Sequence, residues 1–506
     1  MDQNKKPVCK LSELADGEMK EVRAGETPVL LARVDGKCYA VAAHCTHYGA
    51  PLADGYLSGD RIVCPWHHAC FNTRTGALEE PPALDSIANY PVRIENDEVF
   101  VDVPDGAPDR VTPQMTKRSA DDKRTFAIIG GGAAGYMAAQ TLREEGFAGR
   151  IVMITRESRA PYDRPNLSKD YLQGHADPEW MPLRGDDVYP EHDIEVLFDK
   201  EVSGVDIPTR KINFADGEEM ECESLLIATG GEPRRLEIPG GSLKNVFVLR
   251  SFDSADRIIA AAEGSKKAVV IGASFIAMEA AFSLRERGLD VTVVAPDKVP
   301  FERTMGPEIG RLFQSVHESK GVSFRLGEHV TSLRGETNVD GVELASGDVL
   351  DADFVVVGVG VSPATAFLNG IEKQKDGSVG VDEFMSLGND VFAAGDIASF
   401  IDPRSGERTR IEHWRTALQQ GRAAAKNMLD QRQRYTAVPF FWTTQFDATL
   451  NYVGHAVGWD RIEYRGDVEK KDFLAFYIKD EKVAAVAGMN RDRELDEWEE
   501  KFRREA

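Results

Sequence analysis

The sequence predicts a multidomain chain: an all-β domain, then two α/β domains built on parallel sheets, then an α+β domain. Three observations carry this prediction. The first stretch alternates short strands with turns, as in VLLARVDGKCYAVAA, where Asp35-Gly36 forms the turn. A strand, a glycine turn, a helix and a strand then follow one another twice, in FAIIGGGAAGYMAAQTLREEG and in AVVIGASFIAMEAAFSLRERG with the strands after them. The last stretch combines strand patterns with a charged helix, RELDEWEEKFRREA, which is most simply a solvated amphipathic helix.

Domain boundaries are expected where these patterns change. PDGAPDRVTPQMTKRSADDKR supplies proline, glycine and charge without a hydrophobic period, so it reads as a linker. The expected segments are 1–104 (all-β domain), 105–123 (linker), 124–248 (opening segment of the first α/β domain), 249–374 (second α/β domain), 375–437 (returning segment of the first α/β domain) and 438–506 (C-terminal α+β domain).

The all-β domain carries two pairs of metal-binding residue types, Cys45-Thr-His47 and Cys64-Pro-Trp-His67. In a Rieske [2Fe–2S] centre two cysteines hold one iron and two histidines hold the other, so each of two loops supplies one of each. A zinc site needs the same four ligands to converge on one tetrahedral ion, and Cys2His2 zinc fingers place both cysteines before both histidines. The mixed order favours the cluster, with zinc and a metal-free relic as the alternatives.

The surroundings of these pairs resemble the two cluster loops of Rieske ferredoxins, through CTHYGAPL and CPWHHACFNTRTGAL. Respiratory Rieske proteins of high potential carry an extra cysteine in each loop, and a serine and a tyrosine donate hydrogen bonds at the cluster. The matching positions here are Ala50, Trp66, Ala69 and Phe71. The resemblance therefore implies a low reduction potential, roughly −150 mV or a little above, because fewer donors reach the sulfurs. His68 stands where glycine is usual, and we expect it to be exposed and not a ligand; we expect Cys70 to be a small buried residue.

A flavin site is indicated by three glycine-containing turns that each follow a buried strand. Gly130, Gly132 and Gly135 have the G-x-G-x-x-G spacing: the first permits the turn, the second lets a pyrophosphate approach, and the third lets helix and strand pack. Glu157 is the acid expected to meet the adenosine ribose. The later turns are Thr229-Gly230 in LLIATG and Gly395-Asp396 in VFAAGD, whose aspartate can hydrogen-bond a ribityl chain.

In this order the turns resemble those of flavoprotein reductases with two Rossmann-like dinucleotide-binding domains. PYDRPNLSK further resembles a loop of oxygenase-coupled ferredoxin reductases and of the apoptosis-inducing-factor family. The resemblance implies that Arg164 contacts FAD and that Lys169 lies beside the isoalloxazine, where it can stabilise negative charge. It also places Trp414 near the flavin, whereas Trp442 either covers the ring or belongs to the core. Val202 completes the residues expected to bind FAD.

The second glycine turn predicts a nicotinamide site through an imperfect motif. After Gly272, Ser274 and Ala277 stand at the positions of the other two glycines. Ala277 permits helix–strand packing, and the Ser274 hydroxyl can donate to phosphate. By the resemblance, Glu279 pairs with Lys169 near the flavin, which makes these two residues the catalytic candidates. A plain helical glutamate is the alternative.

The choice between NADH and NADPH as electron donor rests on the segment after the second strand of this unit. Asp297 comes later than the usual ribose-binding acid, after Ala295 and Pro296. Lys298 and Arg303 are candidates for binding a 2′-phosphate, although either can be solvated. NADH is our preferred expectation.

Along the whole chain the motifs resemble Rieske-domain-containing apoptosis-inducing-factor-like proteins and FAD-dependent ferredoxin reductases of the pyridine nucleotide-disulfide oxidoreductase superfamily. The resemblance implies an oxidoreductase that passes electrons from NAD(P)H through FAD to its own Rieske cluster. An unidentified one-electron acceptor would follow, such as an oxygenase or a cytochrome. The absence of cysteine between Gly135 and Lys169 argues against a disulfide reductase. The alternative is a redox-sensing flavoprotein with little turnover.

Composition limits the partners and the location. A net charge of −23 over 506 residues argues against nucleic acid or an anionic membrane surface as main partner; it suits solubility or a basic electron-transfer partner. No apolar run approaches the roughly 18 residues of a membrane span, and MDQNKKPVCKLSEL lacks the apolar core of a signal peptide. Six cysteines in so long a chain do not indicate a disulfide framework. We expect a cytoplasmic protein.

Overall fold

The computed structural model describes residues 6–506, so residues 1–5 of the expected all-β segment lie outside it. Antiparallel sheets come first, two parallel sheets follow, and an antiparallel sheet with a helix ends the chain. The predicted fold class is confirmed, whereas the exact domain boundaries stay a prediction. Within residues 6–506 no helix is both long and apolar enough to cross a bilayer. The helices are α1 (Ala133–Glu144), α2 (Asp170–Gln173), α3 (Val188–Glu191), α4 (Phe252–Ala262), α5 (Phe275–Glu286), α6 (Glu302–Met305), α7 (Pro307–Ser319), α8 (Trp414–Met428) and α9 (Asp492–Glu505).

The first region is built from antiparallel strands. At the predicted turn, Asp35 and Gly36 both have positive φ, 53° and 74°, which closes a tight hairpin. Both Cys–His segments lie in loops: one follows the strand Lys37–Ala42, and the other joins Arg61–Val63 to Cys70–Asn72. The remaining strands are Cys9–Lys10, Met19–Ala24, Thr27–Val34, Tyr56–Ser58, Leu78–Glu80, Ser86–Ile87, Asn89–Tyr90, Val92–Glu95, Glu98–Val101 and Arg110–Val111.

The first α/β region has a six-stranded sheet with α1 and α8 packed against each other beside it. Its spatial order is Ile194–Leu197, Arg150–Ile154, Thr125–Ile129, Ser224–Ile227, Val391–Ala393, Ser386–Gly388; the first five are parallel and the last is antiparallel. The strand Val391–Ala393 comes from the returning segment, so the chain completes this sheet after the second α/β region. Smaller strands here are Val202–Asp206, Lys211–Phe214, Glu219–Glu221, Gly231–Pro233, Val379–Gly380, Ala398–Ile401 and Arg408–Arg410.

The second α/β region has a five-stranded sheet in which every neighbouring pair is parallel. Its spatial order is Val246–Val248, Phe354–Val357, Lys267–Ile271, Asp290–Ala295, Ser323–Leu326. Further strands are Val330–Arg334, Gly341–Leu344, Val349–Asp351 and Val361–Pro363. An apolar core is shared between this region and the last sheet, while the first two regions each have a core of their own.

The last region is a five-stranded antiparallel sheet followed by α9. Its strands in spatial order are Phe440–Gln445, Ala448–Gly454, Lys482–Met489, Asp472–Lys479 and Arg461–Asp467. α9 is an amphipathic helix, as expected, but it is not simply solvated, because one face is buried against the last sheet and the strand Tyr56–Ser58. The buried face carries apolar and acidic residues, Leu495, Asp496, Glu499, Glu500 and Phe502. The acids tolerate burial because cationic side chains and a histidine of other regions meet them.

Candidate functional site

The two Cys–His segments adopt matching turns that bring all four side chains together. The N–H of Cys45 donates to the carbonyl of Ala50 at 2.9 Å, and the N–H of Cys64 donates to that of Ala69 at 2.8 Å. Across the two loops, Nδ1 of His47 lies 3.1 Å from Nδ1 of His67. The thiols of Cys45 and Cys64 are buried and hydrogen-bonded to each other, which lowers the pKa of Cys45 and raises that of Cys64.

These residues fit a Rieske cluster. Burial lowers the pKa of His47 to about 4 and that of His67 well below its usual range, so both rings are neutral near pH 7 and can bind metal. The separation of the two Nδ1 atoms suits two nitrogens held on one metal ion at about 2.1 Å each. The side chains meet as a histidine pair and a cysteine pair, as two irons require.

His68, the residue after the predicted ligand His67, is fully buried, which contradicts the expectation that it is exposed. Its backbone is left-handed (φ 57°). Its ring stacks on Phe440 with centroids 3.9 Å apart and contacts the carboxylates of Glu499 and Asp496 on α9. The expectation failed because the partners come from the far end of the chain. Cys70 is buried, as expected.

The cluster loops sit against the reductase part of the chain. The ring of His67 lies 4.3 Å from that of Trp442, measured between centroids. On the other loop, the hydroxyl of Tyr48 donates to the carboxylate of Asp163, within the PYDRPNLSK segment. Trp442 therefore lies at the junction between the first and last regions. Trp66 and Tyr48, next to the predicted ligand histidines in sequence, remain 45% and 49% exposed.

The first glycine turn leaves room for a dinucleotide at the N-terminus of α1. A Cβ on Gly130 (φ 122°) would lie 2.2 Å from the carbonyl oxygen of Ala228, and one on Gly135 would lie 1.9 Å from that of Gly130. These glycines are required by close packing. A Cβ on Gly132 would meet no atom within 4 Å, and no side chain caps the helix there. The open N-terminus fits a pyrophosphate, whose charge the backbone N–H groups and helix dipole favour.

The other predicted flavin residues surround this turn and are linked by Arg250, which the sequence analysis missed. The guanidinium of Arg250 donates to Asp396 at 3.0 Å, and its carbonyl accepts from Arg164 at 2.5 Å. Glu157 accepts from Arg164 at 2.8 Å and from the hydroxyl of Tyr162 at 2.6 Å. Burial opposes ionisation of Glu157, but Arg164 and these hydrogen bonds keep its pKa below the ordinary value. Arg250 follows an edge strand and belongs to no recognisable motif, so nothing in the sequence around it indicated a role at this site.

The remaining predicted flavin residues hold structural positions in the same region. Thr229 donates its hydroxyl to the carbonyl of Ala364 at 2.9 Å, and Gly230 has φ 69°. Gly395 donates its N–H to the side-chain oxygen of Gln420 at 2.8 Å. Val202 and Trp414 are half-buried against the core of the first α/β region.

Lys169 and Glu279 form an ion pair, with Nζ 2.8 Å from Oε2. Glu279 is buried and also accepts hydroxyl hydrogen bonds from Ser168 at 2.6 Å and Thr443 at 2.7 Å. Two segments distant in sequence, Ser168-Lys169 and Thr443, thus hold one carboxylate. Thr443, which follows Trp442, was another residue that the sequence analysis missed.

The nicotinamide turn has the expected shape, but its serine is engaged. A Cβ on Gly272 (φ 114°) would lie 2.4 Å from the carbonyl oxygen of Gly358. The Ser274 hydroxyl donates to that same carbonyl at 2.8 Å and accepts from the N–H of Ala277 at 3.5 Å, so it caps α5. The hydroxyl proton of Ser274 is therefore donated within the protein, so it is not available for the expected hydrogen bond to phosphate. Ala277 is fully buried, as helix–strand packing needs.

A cleft of about 790 Å³ opens beside the segment that follows Glu157, lined among others by Arg159, Tyr189 and Phe252. None of the predicted site residues lines it. We therefore do not assign a cofactor to this cleft.

Comparisons with known proteins agree with the order of these sites. The family model described as "Pyridine nucleotide-disulphide oxidoreductase" matches residues 124–421. The model "Rieske [2Fe-2S] domain" matches residues 4–91, and "Reductase C-terminal" matches residues 440–503.

Similar proteins cover most of the chain. Apoptosis-inducing factor 3 of Homo sapiens is 40% identical over 497 residues, which are 96% of this chain and 82% of that protein. Rhodocoxin reductase of Rhodococcus erythropolis is 33% identical over 374 residues, 73% of this chain and 87% of that protein. The crystal structure of the covalent putidaredoxin reductase–putidaredoxin complex matches with a TM-score of 0.73 and 29% identity, covering 76% of this chain and 94% of that chain.

These relatives do not favour the sensor alternative. FAD and NAD(P)H are the cofactor and donor of the matched reductase family, and a [2Fe–2S] cluster is that of the Rieske domain. The chain belongs to the pyridine nucleotide-disulphide oxidoreductase family, and it is an NAD(P)H-dependent FAD oxidoreductase that passes electrons to a Rieske [2Fe–2S] cluster of its own.

Proposed function

We propose that the cluster receives electrons from the flavin in the docked arrangement described above, with the rings of His67 and Trp442 in contact between the two sites. The distance of 4.3 Å between those ring centroids is the observation that carries this proposal. The next residue, Thr443, binds Glu279, which holds Lys169. One short segment therefore touches the cluster loop and the Lys169–Glu279 pair. Bound FAD supplies the conversion of a hydride into single electrons.

We propose distinct roles for the residues around the dinucleotides. Lys169 stabilises negative charge beside the flavin ring, and Glu279 orients its ammonium. Glu157 receives the adenosine ribose, and Arg250 orients Asp396 toward the ribityl chain. The other FAD residues are Gly130, Gly132, Gly135, Arg164, Val202, Thr229, Gly230, Gly395 and Trp414, and Gly272 and Ser274 shape the nicotinamide turn.

NADH is the proposed donor. Arg303, a candidate for the 2′-phosphate of NADPH, lies 3.4 Å from the carboxylate of Asp297. That carboxylate follows the second strand of the unit, where it can accept from a ribose 2′-hydroxyl and repel a 2′-phosphate. Steady-state kinetics with both donors should give the larger kcat/KM with NADH.

We propose a one-electron protein acceptor, of the oxygenase or cytochrome kind, that approaches the exposed rim formed by Trp66 and Tyr48. The name of one structural relative, a reductase solved in complex with putidaredoxin, supports a protein partner. A cytoplasmic location is also proposed, because all six cysteines are unpaired, as suits a reducing compartment.

Cys64→Ser tests the order of the electron carriers. The variant should lose the cluster and the ability to reduce a cytochrome with NADH, because its exit terminal is gone. NADH-driven reduction of ferricyanide should continue at a similar rate, since the dinucleotide turns belong to other regions. Equal cytochrome reduction by the variant and the wild type would contradict the proposed order.

A further inference from the structure

One buried histidine ties the second cluster loop to the C-terminal helix. His68 is the neighbour of the ligand His67, yet no part of its side chain reaches solvent. Its Nδ1 contacts the Glu499 carboxylate, and its Nε2 lies 3.2 Å from Oδ1 of Asp496. Phe440, from the last sheet, stacks on the ring. The loop that carries two cluster ligands is therefore held directly by the last region of the chain.

The same contact continues into the flavin-binding region through a buried ion pair. Arg415 of α8 lies 2.7 Å from Glu499, and both side chains are almost fully buried. The guanidinium of Arg415 also donates to the carbonyl of Pro81, which belongs to the first region, at 2.9 Å. These contacts join the first region to α8 through Arg415, α8 to α9 through Glu499, and α9 to the cluster loop through His68. Loss of one partner of such a buried pair strongly destabilises the protein, because the other charge is left buried without a counter-charge.

The backbone of His68 gives independent support for a role of its side chain. Its φ of 57° lies in the left-handed region, where glycine is tolerated best and a bulky residue is disfavoured. Glycine would therefore suit the turn better than histidine. The buried contacts of the imidazole are what offset this local cost.

We propose that His68 is a positioning residue that fixes the Rieske domain on the reductase body, so that the cluster keeps one docked position beside Trp442. This inference rests on the proposed electron route. Under this proposal the Rieske domain does not move between one position near the flavin and another near the acceptor. An acceptor must then come to the docked cluster.

His68→Gly tests the proposal without deforming the turn, because glycine favours its backbone conformation. Iron content, the electron paramagnetic resonance spectrum of the reduced cluster and the rate of flavin reduction by NADH should stay as in the wild type. Electron transfer from flavin to cluster, followed by anaerobic stopped flow, should slow by about tenfold if only about one tenth of the molecules stay docked. Small-angle X-ray scattering should show a larger radius of gyration, and proteolysis within residues 105–123 should be faster.

Asn96→Gly is the matched control, since Asn96 is exposed, lies in the same domain and has a φ of 49°. It should leave every readout unchanged. Glu499→Gln, which alters no residue of the cluster loop, should reproduce the slower transfer and the larger radius. His68→Asn, whose amide can still donate to Glu499 and which tolerates this φ, should restore part of the rate.

The proposal is overturned if His68→Gly or Glu499→Gln keeps wild-type transfer rates and scattering with an intact cluster. Loss of the cluster from His68→Gly would also overturn it, because the role would then be cluster assembly and not docking. A wild-type cluster that NADH never reduces would instead defeat the proposed electron route. In that case scattering and proteolysis would still decide whether His68 docks the domain.

Discussion

Ala69, in the second cluster loop, and Phe71, in the strand that follows it, stand at the positions where high-potential Rieske proteins carry a hydroxyl. Both side chains are fully buried and apolar. Since fewer hydrogen bonds to the sulfurs leave the oxidised cluster better stabilised, we predict a reduction potential of roughly −150 mV or a little above. A redox titration followed by electron paramagnetic resonance measures it, and Phe71→Tyr should raise the value. A wild-type potential of about +200 mV or higher would contradict this reasoning.

In the proposed arrangement Lys169 places a positive charge beside the flavin ring, and its ion pair with Glu279 holds that charge in place. Lys169→Met keeps the aliphatic length but removes the charge. Loss of such a preorganised charge should slow flavin reduction by NADH by about 10²-fold. Stopped-flow absorbance measures the rate, and flavin content is the control for folding. An unchanged rate with normal flavin content would show that the charge plays no part in hydride transfer.

At the scale of elements, α9 buries two acids whose pKa values move in opposite directions. Burial and the neighbouring charge of Glu499 raise the pKa of Asp496 well above its ordinary value. Burial opposes ionisation of Glu499 as well, but Arg415 and His68 bring its pKa down to about 2. The charged or titratable groups facing Asp496 are His68, Cys64, Arg415, Asp492 and Glu499.

Asp496→Asn tests the neutral state of this acid. A raised pKa means that the unfolded chain loses the proton first, so wild-type stability falls as pH rises above about 3.9 toward the folded-state pKa. The variant lacks this loss of stability. Its free energy of unfolding should therefore rise relative to that of the wild type by up to about 1.4 kcal/mol per pH unit in that range. Urea unfolding at several pH values between 4 and 8 measures it. A difference that does not change with pH would show that Asp496 is ionised when folded.

In the same experiment Glu499 should give the opposite dependence of stability on pH. Its low pKa contributes stability that is present above the unfolded value near 4.3 and is lost as pH falls toward about 2. Glu499→Gln should therefore destabilise the protein at pH 7 and lose its effect at low pH. Breaking its buried pair with Arg415 should cost about 3–5 kcal/mol at neutral pH.

What the sequence could predict depended on how local each feature is. The predicted cluster ligands form two short Cys–His motifs, one on each of two loops, and the turns at Gly130 and Gly272 each lie at one strand end. Arg250 and the buried state of His68 depend on partners more than 100 residues away, such as Asp396 and Glu499. Such pairings leave no periodicity or spacing in the sequence. For the same reason α9 was expected to be solvated.

For the whole molecule, the central claim is that one chain holds a complete electron path from nicotinamide to iron. The Rieske domain contacts the reductase body through His67 and Trp442 near the flavin-side loop, and through Arg415 and α9 on the other side. This arrangement keeps the cluster within the same molecule as its donor. Transfer from flavin to cluster should therefore be independent of protein concentration.

Anaerobic titration of the intact protein with NADH, followed by absorbance and electron paramagnetic resonance, tests this claim most directly. We predict that the flavin bleaches and that a rhombic signal of a reduced Rieske cluster grows in the same titration, at every protein concentration. A fully reduced flavin beside a cluster that stays oxidised would contradict it.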